Sequence, residues 1–309
     1  MIKASAATFS ITDRVGETNL SFESPVEAVY DPLDTTVVYL EGDGQKVVLV
    51  AANMVTHTHL IYRQVKRTVK RMLGLGTESV LSLSSHNHCY ARLTRERQEA
   101  FWSEGRRTGP VELTYAGRQF FRGLERALRG LPRRAVEVDV SWAVGQERQI
   151  SYNRKGRRAD GTTYFMREAD RRLLGRDFCG DIDDDAPVVC LSDRSGRPVV
   201  LLAHFNAHPA TAYHPEHRIV CGEYPQTAAR MLADHFGRDG QRPPVAFLQG
   251  CAGDINSKQL LSGDVELSRK HGRLLGGSFV KAAGRLTESQ SERLGLLRCT
   301  AELPLAPLP

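Results

Sequence analysis

His86 and His88 open the chemistry of this chain. They lie in Ser84-Ser85-His86-Asn87-His88-Cys89, just after the β-prone run 79–83. In an extended segment side chains alternate with period two, so a His-x-His pair puts both imidazoles on one side. Two neutral imidazoles at the end of a strand are a natural start for a zinc site. A further histidine, His208 in Asn206-Ala207-His208-Pro209, follows the apolar run 199–202. A third polar loop, Gln249-Gly250-Cys251-Ala252-Gly253-Asp254-Ile255-Asn256, follows the apolar run 245–248. Three polar loops, each leaving a buried strand, point to one site at one edge of a sheet. The plainer alternative is that the histidines satisfy backbone groups at strand ends and that Asp254 makes an Asx-turn in a glycine loop.

The elements that must position these loops read as follows. Residues 46–52 form a buried strand, and 60–72 a basic amphipathic helix stopped near Gly74. Residues 112–128 have apolar positions at helical spacing, whereas 135–144 alternate as a half-buried strand. Two strands, 188–191 and 198–204, flank the turn Asp193-Arg194-Ser195-Gly196-Arg197 as a hairpin. Pro225 suits the first turn of a helix running to about Phe236, and 267–286 is a further helix. Helices and strands alternate early and a hairpin comes late. The fold class is therefore α/β, with a mixed β-sheet core flanked by helices and the site loops at strand ends.

At 309 residues and 41% hydrophobic, the chain can bury a sizeable core. Its net charge of +6 is compatible with acidic partners, but no nucleic-acid motif accompanies it, and nucleic acid is not expected. Six cysteines without a CxxC spacing argue against a zinc knuckle or a disulfide framework. There is no apolar run of membrane-spanning length and no signal-like apolar region near Met1, so the expected setting is the cytoplasm.

The loops, in their order, resemble the N-terminal catalytic domain of the neutral/alkaline, non-lysosomal ceramidase family. The residues that carry the resemblance are Ser85-His86-Asn87-His88, Asn153-Arg154, His208-Pro209 and the loop from Gly250 to Asn256, with Gly222-Glu223-Tyr224-Pro225 like the family's helix start. The resemblance covers most of the chain, from about Ala28 onward. It implies a single ceramidase-like catalytic domain over residues 1–309 lacking its C-terminal part, and a zinc amidase that cleaves an N-acyl bond. By the same resemblance His86 and His208 are zinc ligands, His88 contacts the reacting group, and Arg154 holds an oxygen of the substrate or transition state. The family completes its zinc shell with a Glu and a Tyr from further downstream. Asp254 is a candidate substitute ligand or an orienting acid. The sequence departs from the family at Asn87, where Thr is usual, at Cys89-Tyr90-Ala91, and at Asn256-Ser257. These departures alter the approach to the metal, and a basic, cytoplasmic chain without an apolar lipid-binding stretch suits a small polar amide or ester better than ceramide.

Thr56-His57-Thr58-His59 is a second His-x-His. It precedes the helix 60–72, and Thr56 or Thr58 reads as its N-cap. Cys89 beside His88 raises a cysteine nucleophile as an alternative, although adjacent residues of an extended chain point to opposite faces. The expected function is a zinc-dependent hydrolase of an amide or ester bond. The alternatives are a metal- or ligand-binding module without catalysis and a cysteine-dependent hydrolase.

Overall fold

Asp43 and Gly44 both have positive φ, 48° and 73°, which matches the right-handed strand twist of a two-residue hairpin turn. They join β2 (Leu33–Gly42) to β3 (Gln45–Ala52), and β1 (Ile2–Ile11) pairs antiparallel with β2. The computed structural model describes residues 1–19, 24–56, 58–90, 92–95, 112–175, 177–289 and 293–302. From β3 the chain crosses through α1 (His59–Leu73) to β4 (Val80–Ser84), which lies parallel to β3. Thr58 is the N-cap of α1, its hydroxyl accepting the Ile61 N–H at 3.3 Å, and Gly74 ends the helix at φ 71°. Then follow α2 (Tyr115–Arg134), β5 (Val136–Gln146), β6 (Asp185–Asp193), β7 (Pro198–Phe205), α3 (Glu223–His235), β8 (Val245–Gln249) and α4 (Val265–Ala283).

The sheet order is β8-β7-β6-β5-β1-β2-β3-β4, with the short strand Thr287–Glu288 added to β5. The outermost pairs, β3/β4 and β7/β8, are parallel and the inner pairs antiparallel, so the nine-stranded sheet is mixed, as the sequence implies. Each parallel pair is joined by a helix, α1 at one end and α3 at the other. The sheet folds back on itself. β8 touches β2, β3 and β4, and the facing surfaces bury Ala4, Val38, Leu49, Ala51, Leu191, Val200 and Ala246. Outside one half, α1 and α2 cover Val48 and Val50 with Val65, Phe120 and Leu124. Outside the other, α3 and α4 cover Val188, Leu201 and Phe205 with Tyr224, Leu275 and Phe279. The layers run helix, sheet, sheet, helix, and the fold-back brings the carboxyl ends of β4, β7 and β8 together.

Two helix boundaries differ from the sequence pattern. α2 starts at Tyr115, where the Thr114 hydroxyl accepts the Gly117 N–H at 3.0 Å, and continues through Pro132 to Arg134. Leu131 is fully buried and its carbonyl accepts the Ser5 hydroxyl, so packing carries the last turn past the proline. α4 starts at Val265 because Asp264 caps the Leu267 N–H at 3.0 Å.

Candidate metal centre

β4 ends at Ser84, and the backbone then turns sharply. His86 has φ 63°, in the left-handed region that a non-glycine residue occupies only when its surroundings fix it. What fixes it is Asn87, fully buried between the two histidines. Its Nδ2 donates to Asn53 Oδ1 at 2.9 Å and to the Cys221 carbonyl at 2.7 Å, while its Oδ1 accepts the Cys89 N–H at 2.7 Å. Asn53, just beyond β3, also accepts the Ser85 hydroxyl at 2.8 Å and donates to the Gly222 carbonyl and to Gln226 Oε1, both at 2.9 Å. The pair His86/His88 is thus presented by a pinned turn, not by strand alternation.

His208 arrives from the other half of the fold. It follows β7, its N–H bonds to the Ile255 carbonyl at 2.9 Å, and it forms a parallel bridge with Asn256. The His88 N–H points to the Pro209 carbonyl at 3.4 Å, which ties the two histidine loops directly. The ring centroids of His86 and His208 are 4.3 Å apart, those of His88 and His208 4.9 Å, and those of His86 and His88 5.1 Å. His88 Nε2 and His208 Nε2 are separated by 2.8 Å. His86 Nδ1 lies 3.0 Å from the Val55 carbonyl, which favours a proton on Nδ1 and leaves Nε2 as the electron-pair donor. Among the described residues, these three make up the one group of three or more His, Cys, Asp or Glu side chains with ligand atoms all within 4.8 Å of one another.

Burial is the main reason that all three rings favour the neutral form. It pushes His88 down to about 4 and His208 down to about 3, with the neighbouring histidines and the Arg154 cation adding to it. His86 shifts in the same direction, again chiefly by burial. Neutral imidazoles have their lone pairs available. Three of them converging without a carboxylate form a donor set suited to zinc, copper, iron or nickel rather than to magnesium or calcium, which take oxygen ligands. The residues present therefore fit a transition-metal ion.

Arg154 belongs to the same wall. The strand Ser151–Asn153 pairs antiparallel with Ile255–Ser257, so the loop after β8 is stitched to the segment that carries the arginine. Arg154 donates from Nε (3.0 Å) and Nη2 (2.7 Å) to the Gly253 carbonyl and from Nη1 (3.0 Å) to Asn256 Oδ1. Three of its five N–H groups are thereby held by protein acceptors. Asp254 takes a different place. Its carbonyl accepts the Arg154 N–H at 2.7 Å, and its exposed carboxylate meets Asn153 Nδ2 at 3.4 Å, outside the imidazole group. His57 lies outside the described residues. His59 is the first residue of α1.

Two neighbours add to this wall, Tyr213, which no sequence motif announces, and Glu223, from the helix start Gly222-Glu223-Tyr224-Pro225. Tyr213 packs against His88 at a centroid separation of 5.2 Å. Glu223, at φ 50° and 3% exposed, accepts the N–H groups of Ala212 (2.8 Å) and Tyr213 (3.2 Å) and the Ser268 hydroxyl. Cys89 Sγ sits 3.9 Å from the Glu223 carboxylate, and the Cys221 thiol is also beside it. The Cys221 contact, burial and the Glu223 charge hold the Cys89 thiol well above its ordinary value, which disfavours a thiolate there.

No protein-family model matches the sequence, and no curated protein does so either. Solved structures do match. One is a ceramidase complexed with C2, with a TM-score of 0.68 and 16% identity over 92% of this chain and 44% of that one. Another is the neutral ceramidase from Pseudomonas aeruginosa, with a TM-score of 0.66 and 17% identity over 92% of this chain and 45% of that one. The chain thus spans less than half the length of these ceramidases. Within that span it has the ceramidase fold, the same folded-back mixed sheet with helices on its outer faces.

Proposed function

We propose that this chain is a zinc-dependent hydrolase of an amide or ester bond in a small or N-acylated substrate. The observation that carries the reading is the convergence of His86, His88 and His208 from two halves of the fold onto one point. An ion held there supplies Lewis acidity, polarising a carbonyl and lowering the pKa of water to roughly 7. His86 and His208 hold it. His88 either completes the donor set, which gives the three protein ligands usual for a catalytic zinc, or hands a proton to the leaving amine. The metal content of His88→Gln separates these two roles. Arg154 is fixed on Gly253 and Asn256 and keeps two N–H donors to receive an oxyanion. Asp254 acts by position, holding the backbone of Arg154 through its carbonyl. The ceramidases that share the fold are the reason for preferring an N-acyl bond.

The test is hydrolysis of a panel of N-acyl anilides, aryl esters and N-acyl sphingosines by the protein as purified, after stripping with a chelator, and after zinc is restored. Turnover that vanishes and returns supports the reading. Zinc bound at one per chain without turnover favours the binding module instead, with an imidazole set that lacks a carboxylate as its physical cause. Failure to bind zinc overturns both.

A further inference from the structure

The two helices outside the β1–β4 half carry the net positive charge of the molecule. α1 contains Arg63, Lys66, Arg67, Lys70 and Arg71 and no acid. α2 contains Arg118, Arg122, Arg126, Arg129, Arg133 and Arg134 against one acid, Glu125. These helices bear ten net positive charges, against +6 for the whole chain, which leaves −4 everywhere else. All six arginines of α2 are exposed, as are Arg67, Lys70 and Arg71 of α1. Arg118, Arg122, Arg126, Arg129 and Arg133 follow one another by four, four, three and four residues. That spacing lines them up on one helix face, over about 22 Å at 1.5 Å per residue. α1 lies alongside, joined to α2 by the Arg71–Glu125 ion pair at 2.6 Å. The cations therefore spread over a face two helices wide instead of following a single groove.

We infer that this face adsorbs the protein to an anionic lipid bilayer. Guanidinium groups pair well with lipid phosphates, and basic segments are drawn to anionic leaflets with a pull that adds up over several residues. A face two helices wide matches a bilayer better than the narrow cylinder of a nucleic-acid duplex. Among the described residues, neither helix presents an exposed large apolar or aromatic side chain. The face thus has neither a wedge to insert into lipid nor a platform for stacking bases. Adsorption is consequently electrostatic, peripheral and salt-sensitive. The inference does not rest on the hydrolase reading.

The experiment is co-sedimentation of the full chain with vesicles of phosphatidylcholine alone or with 30% phosphatidylserine. At low salt the protein is expected on the anionic vesicles and not on the neutral ones, with release in 0.5 M sodium chloride. A variant with Arg118, Arg122, Arg126, Arg129 and Arg133 all changed to Gln should partition at least tenfold more weakly, with an unchanged circular dichroism spectrum. A control that loses five exposed arginines elsewhere (Arg157, Arg158, Arg194, Arg197 and Arg238 to Gln) should keep its binding within about threefold. Equal loss in the control would show that net charge rather than this face is responsible, and would overturn the inference. So would binding to neutral vesicles, absence of binding to anionic ones, or tighter binding to a short DNA duplex at the same salt. If the α2 variant does not fold, neutralising Arg67, Lys70 and Arg71 of α1 tests the same face with the same expected direction.

Discussion

His88 Nε2 and His208 Nε2 stand 2.8 Å apart at the meeting point of two loops that leave opposite halves of the fold. Only one proton fits between them, and burial holds both rings in their neutral form. The pair therefore has lone-pair density to give to a cation. His86→Ala and His208→Ala should each reduce zinc content to well below one per chain, measured by elemental analysis after dialysis, while His59→Ala keeps it. Unchanged zinc in His208→Ala would move the site elsewhere.

Arg154 is held on the loop after β8, whose Asn256 forms a bridge with His208 of the histidine cluster. Removing one preorganised oxyanion donor costs roughly 2.7–4 kcal/mol in the transition state, so Arg154→Ala should lower kcat by about two to three orders of magnitude. Zinc content should stay near that of the parent. Arg154→Lys keeps the charge but loses the fork that grips Gly253 and Asn256, and it should recover little. Loss of zinc together with kcat would make Arg154 a support of the loop and not a group that meets the substrate.

The loop after β8 depends on close packing at Gly250. A Cβ there would fall 1.8 Å from Asn206 Oδ1 and 2.4 Å from His204 Nε2. Asn206 accepts the Cys251 N–H at 3.0 Å and stands two residues before His208. Gly250→Ala must therefore displace the chain leading into the histidine. Weaker zinc affinity by calorimetry and a lower unfolding midpoint are expected together. An unaltered affinity would mean that the strain relaxes away from His208.

Much of this centre is legible in the sequence because its parts follow one rule: a polar or histidine-bearing loop placed directly after an apolar strand. His86, His208 and the Gly250 loop obey it. Asn153-Arg154 stands out only by its resemblance to the family motif, since only the single apolar positions Ile150 and Tyr152, and no apolar run, lead into it. The reason for the His86/His88 convergence differs from the one that the spacing suggests. The strand has already ended, and a left-handed turn pinned by Asn87 replaces period-two alternation. β1 is inconspicuous because Ala4, Ala6 and Ala7 are poor strand formers, Ala4 and Ala6 lying where the two sheet halves press close and Ala7 facing the helices. The Asp43-Gly44 turn, by contrast, carries a readable hairpin signal between two apolar runs. Tyr213 and Glu223 take their places from tertiary contacts, and of the two only Glu223 is marked in the sequence, through the resemblance of Gly222-Glu223-Tyr224-Pro225 to the family's helix start.

Glu223 is one of these contacts. Burial raises its pKa, and the N–H and hydroxyl donors around it oppose that shift. Glu223→Ala would leave the Ala212 and Tyr213 amides and the Ser268 hydroxyl without their acceptor. Each such buried donor costs on the order of 1–3 kcal/mol, so a loss of about 3 kcal/mol in urea unfolding is expected. Glu223→Gln retains one acceptor oxygen and should lose less. Equal stability in both variants would imply that water replaces the carboxylate.

Cys89 offers a direct test of the cysteine alternative. Its side chain is 1% exposed, whereas Cys251 and Cys299 are exposed. Iodoacetamide on the native protein should label Cys251 and Cys299, leave Cys89 unmodified by peptide mapping, and leave hydrolysis unaffected. Loss of activity in step with labelling of Cys89, and without dependence on metal, would favour the cysteine nucleophile.

His271 supplies a pH dependence separate from the His86, His88 and His208 cluster. Burial, aided by Lys258 and Lys270, depresses its pKa to about 4. Its Nδ1 lies 3.3 Å from the Thr211 hydroxyl and its Nε2 3.1 Å from Gln259 Oε1. Gln259 Oε1 can only accept, so Nε2 carries the proton and Nδ1 accepts from Thr211 in the neutral ring. The folded value is below the unfolded one of about 6.5, so the unfolded chain binds the extra proton first as pH falls. The stabilisation is complete above about pH 6.5, declines on acidification, and is gone near pH 4. A shift of this size corresponds to something on the order of 3 kcal/mol. In His271→Gln, the stability at pH 7 should be about 1 kcal/mol lower, and the loss between pH 6.5 and 4.5 shallower than in the parent. Urea unfolding of both proteins with a chelator present makes the comparison, because His86, His88 and His208 then contribute equally to each. Parallel pH profiles for the two proteins would show that His271 titrates alike in the folded and unfolded chain, and the acid sensitivity would then belong to the three histidines of the centre.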